Sequence, residues 1–439
     1  MNRMRWPARL LLPAGLAAGL LVAAVPQAGA ASGPGTIATT VGGPGRGLAK
    51  NVSQLPQAVA VGPHGAVYVG DQLGVVRELS TTSAQEQVAA GIGTGPGEPF
   101  SGDGGPAVRA RLAPVQAVAV DAAGNLVVAD TGHNRVRVVA ATSRTFYGRP
   151  MTAGDIYTVA GNGTYGYTGN GGVATSTRLA EPYGVAVDTA GNLVISDSGN
   201  ARIRVVASRS GTFYGQAMTA GHIYSVAGNG TSGYSGDGGA ATAAELQDPR
   251  GVTVDANGNL VLADTFNARV RVVAATSGTF YGQAMKAGDI YTVAGNGSQG
   301  YSGDGGLATA AELSYPGGVT VDAAGNLVVA DTSNNRVRVV AAASGTFYGQ
   351  AMTAGHIYTV AGNGTAGYSG EGGLATAAEL NGPQGVAVDS AGNLIIADTF
   401  RVRVVAAASG TFYREAMTAG HIYTIAGNGQ YQSSGNGGK

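Results

Sequence analysis

Of 439 residues, 75 are Gly and 16 are Pro, 44% are hydrophobic, 12% are charged and none is Cys. So much apolar content with so little charge excludes a disordered chain, and Gly does not recur at every third position, which excludes collagen. The 26 basic and 26 acidic residues cancel, which argues against a phosphate-tracking, nucleic-acid-binding surface. The missing Cys excludes disulfides, zinc–thiolate sites, Cys nucleophiles and a lipid anchor on Cys.

In chain order, residues 1–9 are basic, residues 10–25 are almost wholly apolar, and Ala28-Gly29-Ala30 supplies small residues for a cleavage site. The pattern predicts a secretory signal peptide over residues 1–30, cut after Ala30. The remaining chain carries 23 basic and 26 acidic residues. No later run reaches the ~18 apolar residues needed to span a bilayer. The expected product is therefore a secreted monomer, extracellular or in the cell envelope, with no membrane span after cleavage. Arg preferred over Lys, with abundant Ala and Gly, suggests a bacterial source.

From residue 36 onward the chain repeats itself. GVAVDTAGNLVISDSGNARIRVV begins at Gly184, GVTVDANGNLVLADTFNARVRVV at Gly251 and GVTVDAAGNLVVADTSNNRVRVV at Gly318. The equivalent aspartates Asp121, Asp188, Asp255, Asp322 and Asp389 are 67 residues apart, and an earlier copy has Gly62 in that place. Each unit reads as four strands. GVAVD alternates apolar and small residues, A-G-N is a tight hairpin turn, and NLVVAD is a second strand. RVRVV is a third, with Val136 and Val138 on one face and Arg135 and Arg137 on the other. IYTVAG is the fourth, and a Gly-rich connection whose ATAAEL piece reads as one helical turn leads to the next unit.

Four antiparallel strands cannot bury both faces alone, whereas copies arranged in a ring can. The predicted fold is all-β: a six-bladed β-propeller of four-stranded antiparallel blades over residues 36–439. The blades fall at about 57–95, 116–163, 183–230, 250–297, 317–364 and 384–429. Residues 36–43 (TIATTVGG) look like a further fourth strand, so closure by an N-terminal strand is expected. Residues 421–429 (HIYTIAGNG) complete the last unit too, so one of these segments is spare.

The pattern G-V-A-V-D-x-x-G-N-L-V-V-A-D-T-x-N-x-R-V-R-V-V resembles the NHL repeat, in six copies over nearly all of the chain after residue 30. The GDGGxATAAEL connection looks like the variety found in exported bacterial NHL-repeat proteins and in the related propeller region of teneurins. Blade one (DQLGVVREL) lacks the Asn and Arg, blade six (ADTFRVRVV) drops two turn residues, and the GTFYGQAMTAG hairpin is extra. The resemblance implies a propeller and no single activity.

Alternate connections of a four-stranded blade share a face. The DTxNxR loops and Gly-rich connections thus define one face, here the top, and the A-G-N turns and FYGQAM hairpins the bottom. Residues copied into every blade read as scaffold. Asp71, Asp130, Asp197, Asp264, Asp331 and Asp398 end the second strands; they are expected to accept turn N–H groups or pair with Arg135, Arg202, Arg269, Arg336 or Arg401. Asp103, Asn170, Asp237, Asp304, Glu371 and Asn436 share one place in the connection and read as turn residues. Calcium is the one ion such oxygen-rich loops would suit; otherwise no cofactor is expected. The pairs Phe146-Tyr147, Phe213-Tyr214, Phe280-Tyr281, Phe347-Tyr348 and Phe412-Tyr413 read as hairpin packing, with sugar stacking as the alternative.

The varied residues are the ligand-binding candidates. Gln57, Gln116, Tyr183, Arg250, Gly317 and Gln384 stand just before strand one, at the top of the axial channel, and the top loops add His133, Phe266 and Phe400. Relatives implied by the resemblance, such as gluconolactonases, peptidyl-amidoglycolate lyases and streptogramin lyases, use carboxylates or His around the channel, often with a divalent metal. Here His222, His356 and His421 share one strand-entry position, His64 lies in a bottom turn, and no two His have metal-ligand spacing. The reading is a module that binds a protein or a cell-surface glycan. A metal-dependent lactonase or lyase and a passive envelope component are the alternatives.

Overall fold

The computed structural model describes residues 47–429 apart from 53, 82–84, 94–96 and 98. Residues 1–30, residues 36–43 and Asn436 lie outside the described residues. Blade three shows the unit: Pro182–Val187, Leu193–Asp197, Arg202–Val206 and Ile223–Ala227 pair antiparallel in that order. All six sheets have this order, and three gain a two-residue fifth strand on the outer edge (Gly47–Leu48, Gly105–Pro106 and Gly239–Ala240). The only helices among the described residues are single 3-10 turns, such as Ala174–Ser176 in the connection. None is long and apolar enough to cross a membrane.

Local chemistry fixes the hairpin between strands one and two. Asp188 accepts the N–H groups of Ala190 and Asn192 on one oxygen and the Asn192 side-chain amide on the other. Gly191 takes φ 81°, which an L side chain rarely adopts. Asn192 in turn accepts the N–H of Ser208, clamping the exit of strand three. The separate hairpin Gly211–Phe213/Gln216–Met218 folds onto this turn, because the Tyr214 hydroxyl donates to Asp188 at 2.8 Å. The same bond recurs at Tyr281, Tyr348 and Tyr413.

The cores lie between blades. Val127, Ala129, Val136 and Val138 of blade two pack on Leu193, Ile195, Val206 and Ile223 of blade three, all buried. Burying each Val, Leu or Ile among them stabilises by about 1.5–3 kcal/mol, so a blade depends on its neighbours. The ring closes where Val59, Val67 and Val69 meet Ile395, Val402 and Val404. Elsewhere a fourth-strand exit bonds the next connection, as Gly161 N–H does to Ala174 O at 3.0 Å. At the closure Gly427 N–H donates to Ala49 O at 2.9 Å and Asn428 N–H to Val52 O at 3.1 Å. Blade six is thus completed by its own strand Ile422–Ala426.

Candidate functional site

The first strands Pro56–Val61, Val115–Val120, Pro182–Val187, Pro249–Val254, Pro316–Val321 and Val386–Val388 stand around the axis. In the first five, the register against strand two shifts near the strand start, as between Pro182 and Gly184. A bulge re-aims the extra residue, and here that residue is one that varies between blades. Gln57, Gln116, Tyr183, Arg250, Gly317 and Gln384 together line an axial cavity of about 90 Å³. On this measure one water needs about 10–15 Å³, so the space suits a single small chemical group. The strands crowd the axis: a Cβ on Gly184 would lie 2.0 Å from the Arg250 carbonyl oxygen, and one on Gly251 2.5 Å from that of Gly317.

Arg250 anchors one side of the mouth. Its Nε and Nη2 donate to Asp248 at 3.1 and 2.9 Å. Its guanidinium lies 4.6 Å from the Tyr183 ring centroid and 5.6 Å from that of Phe266. Phe266 meets Tyr315 edge-on at 5.3 Å. Phe266 therefore joins the site through Arg250, without lining the cavity. His133 and Phe400 are also outside the lining. His133 Nδ1 is 2.8 Å from Asp130, where Asn200, Asn267 and Asn334 donate to their own blades' aspartates. Its ring abuts Phe100. Sequence reasoning missed Asp248 and Tyr315, which vary from blade to blade just as Arg250 does.

Below the top loops lies a buried ionic layer. Asp197, Asp264, Asp331 and Asp398 accept N–H groups of Ala180, Gln247, Ser314 and Asn381. Their Arg partner is not the one expected. Strand alternation puts both Arg of RVRVV on the same face, but it is the second, fully buried one that meets the Asp: Arg204, Arg271 and Arg338 at 3.6, 3.4 and 3.6 Å. The first, Arg135, Arg202, Arg269 or Arg336, reaches outward to a carbonyl such as Asn162 O, or its counterpart at Asn229, Asn296 or Asn363. Tyr234 stacks over both, 3.6 Å from Arg269 and 5.1 Å from Arg271, as Tyr301 and Tyr368 do in their blades. That stacking is the physical reason for the Tyr in GYSGDGG. Burial, outweighing the N–H and Arg contacts, pushes Asp71, Asp197, Asp264, Asp331 and Asp398 up to about 6.

The connection carboxylates complete the layer. Asp237 accepts from Arg271 at 2.7 Å, from the Thr292 N–H at 3.1 Å and from the Tyr234 hydroxyl at 2.9 Å. Burial pushes it up, but the Thr292, Arg271 and Tyr234 contacts outweigh that and hold it below the ordinary carboxylate range. Asp304 and Glu371 behave alike. These oxygens are committed within the protein. No group of three or more metal-ligating His, Asp or Glu occurs among the described residues. His222, His356 and His421 each bond a glycine carbonyl of the connection through Nδ1.

A family model of the NHL repeat matches residues 179–206, 246–273 and 313–340. No curated protein matches the sequence. Among solved structures, a structural genomics protein of unknown function from Bacteroides thetaiotaomicron VPI-5482 is similar at 16% identity and TM-score 0.53, over 82% of this chain and 72% of that one. An auxiliary nutrient binding protein from Bacteroides ovatus ATCC 8483 is similar at 14% identity and TM-score 0.51, over 82% and 71%. Another from Bacteroides thetaiotaomicron VPI-5482 gives 12% identity and TM-score 0.50, over 79% and 67%. At these identities the likeness is one of fold.

Proposed function

The chain carries NHL repeats in a closed six-bladed β-propeller, and we propose that it is a binding module that takes a group of a cell-surface glycan at the top mouth of its axial channel. One observation carries this reading. The frame is copied from blade to blade, while the residues that meet at the axis differ except for three glutamines. A single ligand has no sixfold symmetry, so selection for binding would break the repeat there. The chemistry suits a neutral, hydroxyl-rich group. Gln57, Gln116 and Gln384 offer amides that both donate and accept, Tyr183 offers a ring face, and the Arg250 charge is already answered by Asp248. Two propellers of similar fold are auxiliary nutrient binding proteins, which supports a binding role for this architecture.

The basic start, apolar run and Ala28-Gly29-Ala30 of the sequence support export. The exported protein should begin at Ala31 on N-terminal sequencing. The binding test is a glycan array followed by titration of the hits. Arg250→Ala and Tyr183→Ala should each weaken a hit about tenfold, the loss of one strong contact, at unchanged thermal stability. Unchanged affinity in both variants would refute the site. A tightly held divalent ion, with hydrolytic or lyase turnover lost on chelation, would favour the enzyme reading. A protein recovered from envelope extract in place of any glycan would redirect the ligand class, and recovery of neither would leave the passive envelope role.

A further inference from the structure

Around the top mouth one blade brings no side chain. Five of the six axial positions hold Gln, Tyr or Arg, and blade five holds Gly317. A Cβ there would lie 2.7 Å from Thr332 Oγ1 and 3.5 Å from Gln384 Oε1. The glycine thus leaves room for the Thr332 hydroxyl, which donates to Pro383 O at 2.8 Å, and lets the Gln384 side chain lean across. The Gln384 side-chain amide makes no hydrogen bond among the described residues. The wall of the channel is therefore lowest at blade five, with an amide at its foot.

Beside this gap stands a pair of rings. Phe266 takes a place that is Gly132, Gly199 and Ser333 in blades two, three and five. It is 42% exposed, yet its loop is fixed on both flanks. Thr265 donates to Pro316 O at 2.8 Å, and buried Asn267 donates to Asp264 and to Gly233 O. The Phe266 N–H itself donates to Gln247 O at 3.1 Å. Its edge-on partner Tyr315 stands two residues before Gly317, at φ 49°, where blades three, four and six have Glu181, Asp248 and Gly382, also at positive φ. A left-handed residue suits Asp or Gly better than a bulky ring. Tyr183, Arg250, Phe266 and Tyr315 so form one row across blades three to five, whereas blades six, one and two set Gln384, Gln57 and Gln116 at the mouth. An exposed ring on a fixed loop, which the same turn does without in other blades, marks a contact surface.

The axial cavity admits one small group, so the rest of a glycan must lie outside it. Resting on the channel reading above, we propose that Phe266 and Tyr315 form a second subsite. The glycan places one group in the channel, and its next unit passes over Gly317 and lays an apolar C–H face on these rings. Pyranoses with equatorial substituents present such a face, and the Gln384 amide both donates to and accepts from their hydroxyls. The probes are glucose with cellobiose and N-acetylglucosamine with N,N′-diacetylchitobiose, titrated into the full-length protein by calorimetry. One disaccharide or both should bind about fivefold more tightly than the matching monosaccharide, the effect of one ring contact. Phe266→Ser puts the blade-five residue into the same turn and so folds; it should bring the disaccharide to the monosaccharide's affinity and leave the monosaccharide unchanged. Tyr315→Gly, the residue of blade six, should weaken the disaccharide by about two- to threefold. A disaccharide advantage that survives Phe266→Ser, an equal loss of both sugars in that variant, or no binding of either disaccharide at about 10 mM, weaker than ordinary small-ligand affinity, would each overturn the second subsite. Tyr183→Ala should weaken monosaccharide and disaccharide alike. If it weakens neither while Phe266→Ser still removes the disaccharide advantage, the channel reading falls and the ring pair stands.

Discussion

Blade four and blade one bury the same kind of arginine in different ways. In blade four Arg271 lies between Asp264 at the end of strand two and Asp237 of the preceding connection, under the Tyr234 ring. In blade one Arg77 meets Asp71 at 3.9 Å and Glu86 of its own fourth strand at 3.1 Å, and Gln54 donates to the same Glu86 at 2.6 Å. Blade four draws its second acid from a half-exposed loop, whereas all four groups in blade one are buried. In both blades the buried guanidinium has two acids beside it, whereas blade three buries Arg204 beside Asp197, with Asn170 in the connection place and backbone carbonyls as its further partners. In blade one Glu86 of the fourth strand takes the part that the connection acid plays in blade four.

The comparison predicts unequal damage when the cation is removed. Arg77→Met leaves two buried carboxyls without a cation and should cost about 3–5 kcal/mol. Arg271→Met leaves Asp264 buried but Asp237 partly wet, and should cost about 1–2 kcal/mol less. Urea unfolding of the two variants gives both numbers, and equal losses would break the comparison.

A second contrast lies at the axis. Blades one and two have Ala58 and Ala117 where the others have Gly184, Gly251, Gly318 and Gly385. Judged from the repeat, Gly184→Ala is harmless. The carbonyl 2.0 Å from its Cβ position predicts a loss of about 1–3 kcal/mol from overpacking. A melting temperature within a degree of wild type would show the channel to be more compliant than its geometry.

The same acids set the pH dependence. The strand-two aspartates rise to about 6, and burial, against Arg77, pushes Glu86 up to about 7. A carboxyl raised on folding stabilises most at low pH, and that contribution is lost as pH rises through its folded value. Asp237, Asp304 and Glu371 are held down, so their contribution is lost as pH falls below the ordinary carboxylate range. Thermal stability should therefore be greatest near pH 4 and decline between about 4 and 7, from the ordinary carboxylate values up to the folded ones. A flat or rising profile over that window would show the ion pairs outweighing burial. The smallest effect belongs to the hairpins. Tyr214→Phe loses one bond to Asp188 and should cost about 1 kcal/mol.

Much of this was legible in the sequence, because it depends on neighbours along the chain. The 67-residue spacing, the alternation of GVAVD and RVRVV, and the D-x-A-G-N turn encode strands, hairpins and a ring, since a turn bonds its own residues. The channel residues Gln57, Gln116, Tyr183, Arg250, Gly317 and Gln384 were also readable, as variation inside a copied frame. Other features needed the fold. Arg135 and Arg137 share a strand face, and only packing depth decides which is buried against Asp130. His133 and Phe266 occupy adjacent positions of the same loop type, yet the first turns to an aspartate and the second to Arg250. The closure of the ring brings Val59 of the first blade to Ile395 of the last, 336 residues away in sequence. Local bonding repeats with the sequence, whereas contact between the chain's two ends occurs once, and no period can announce it.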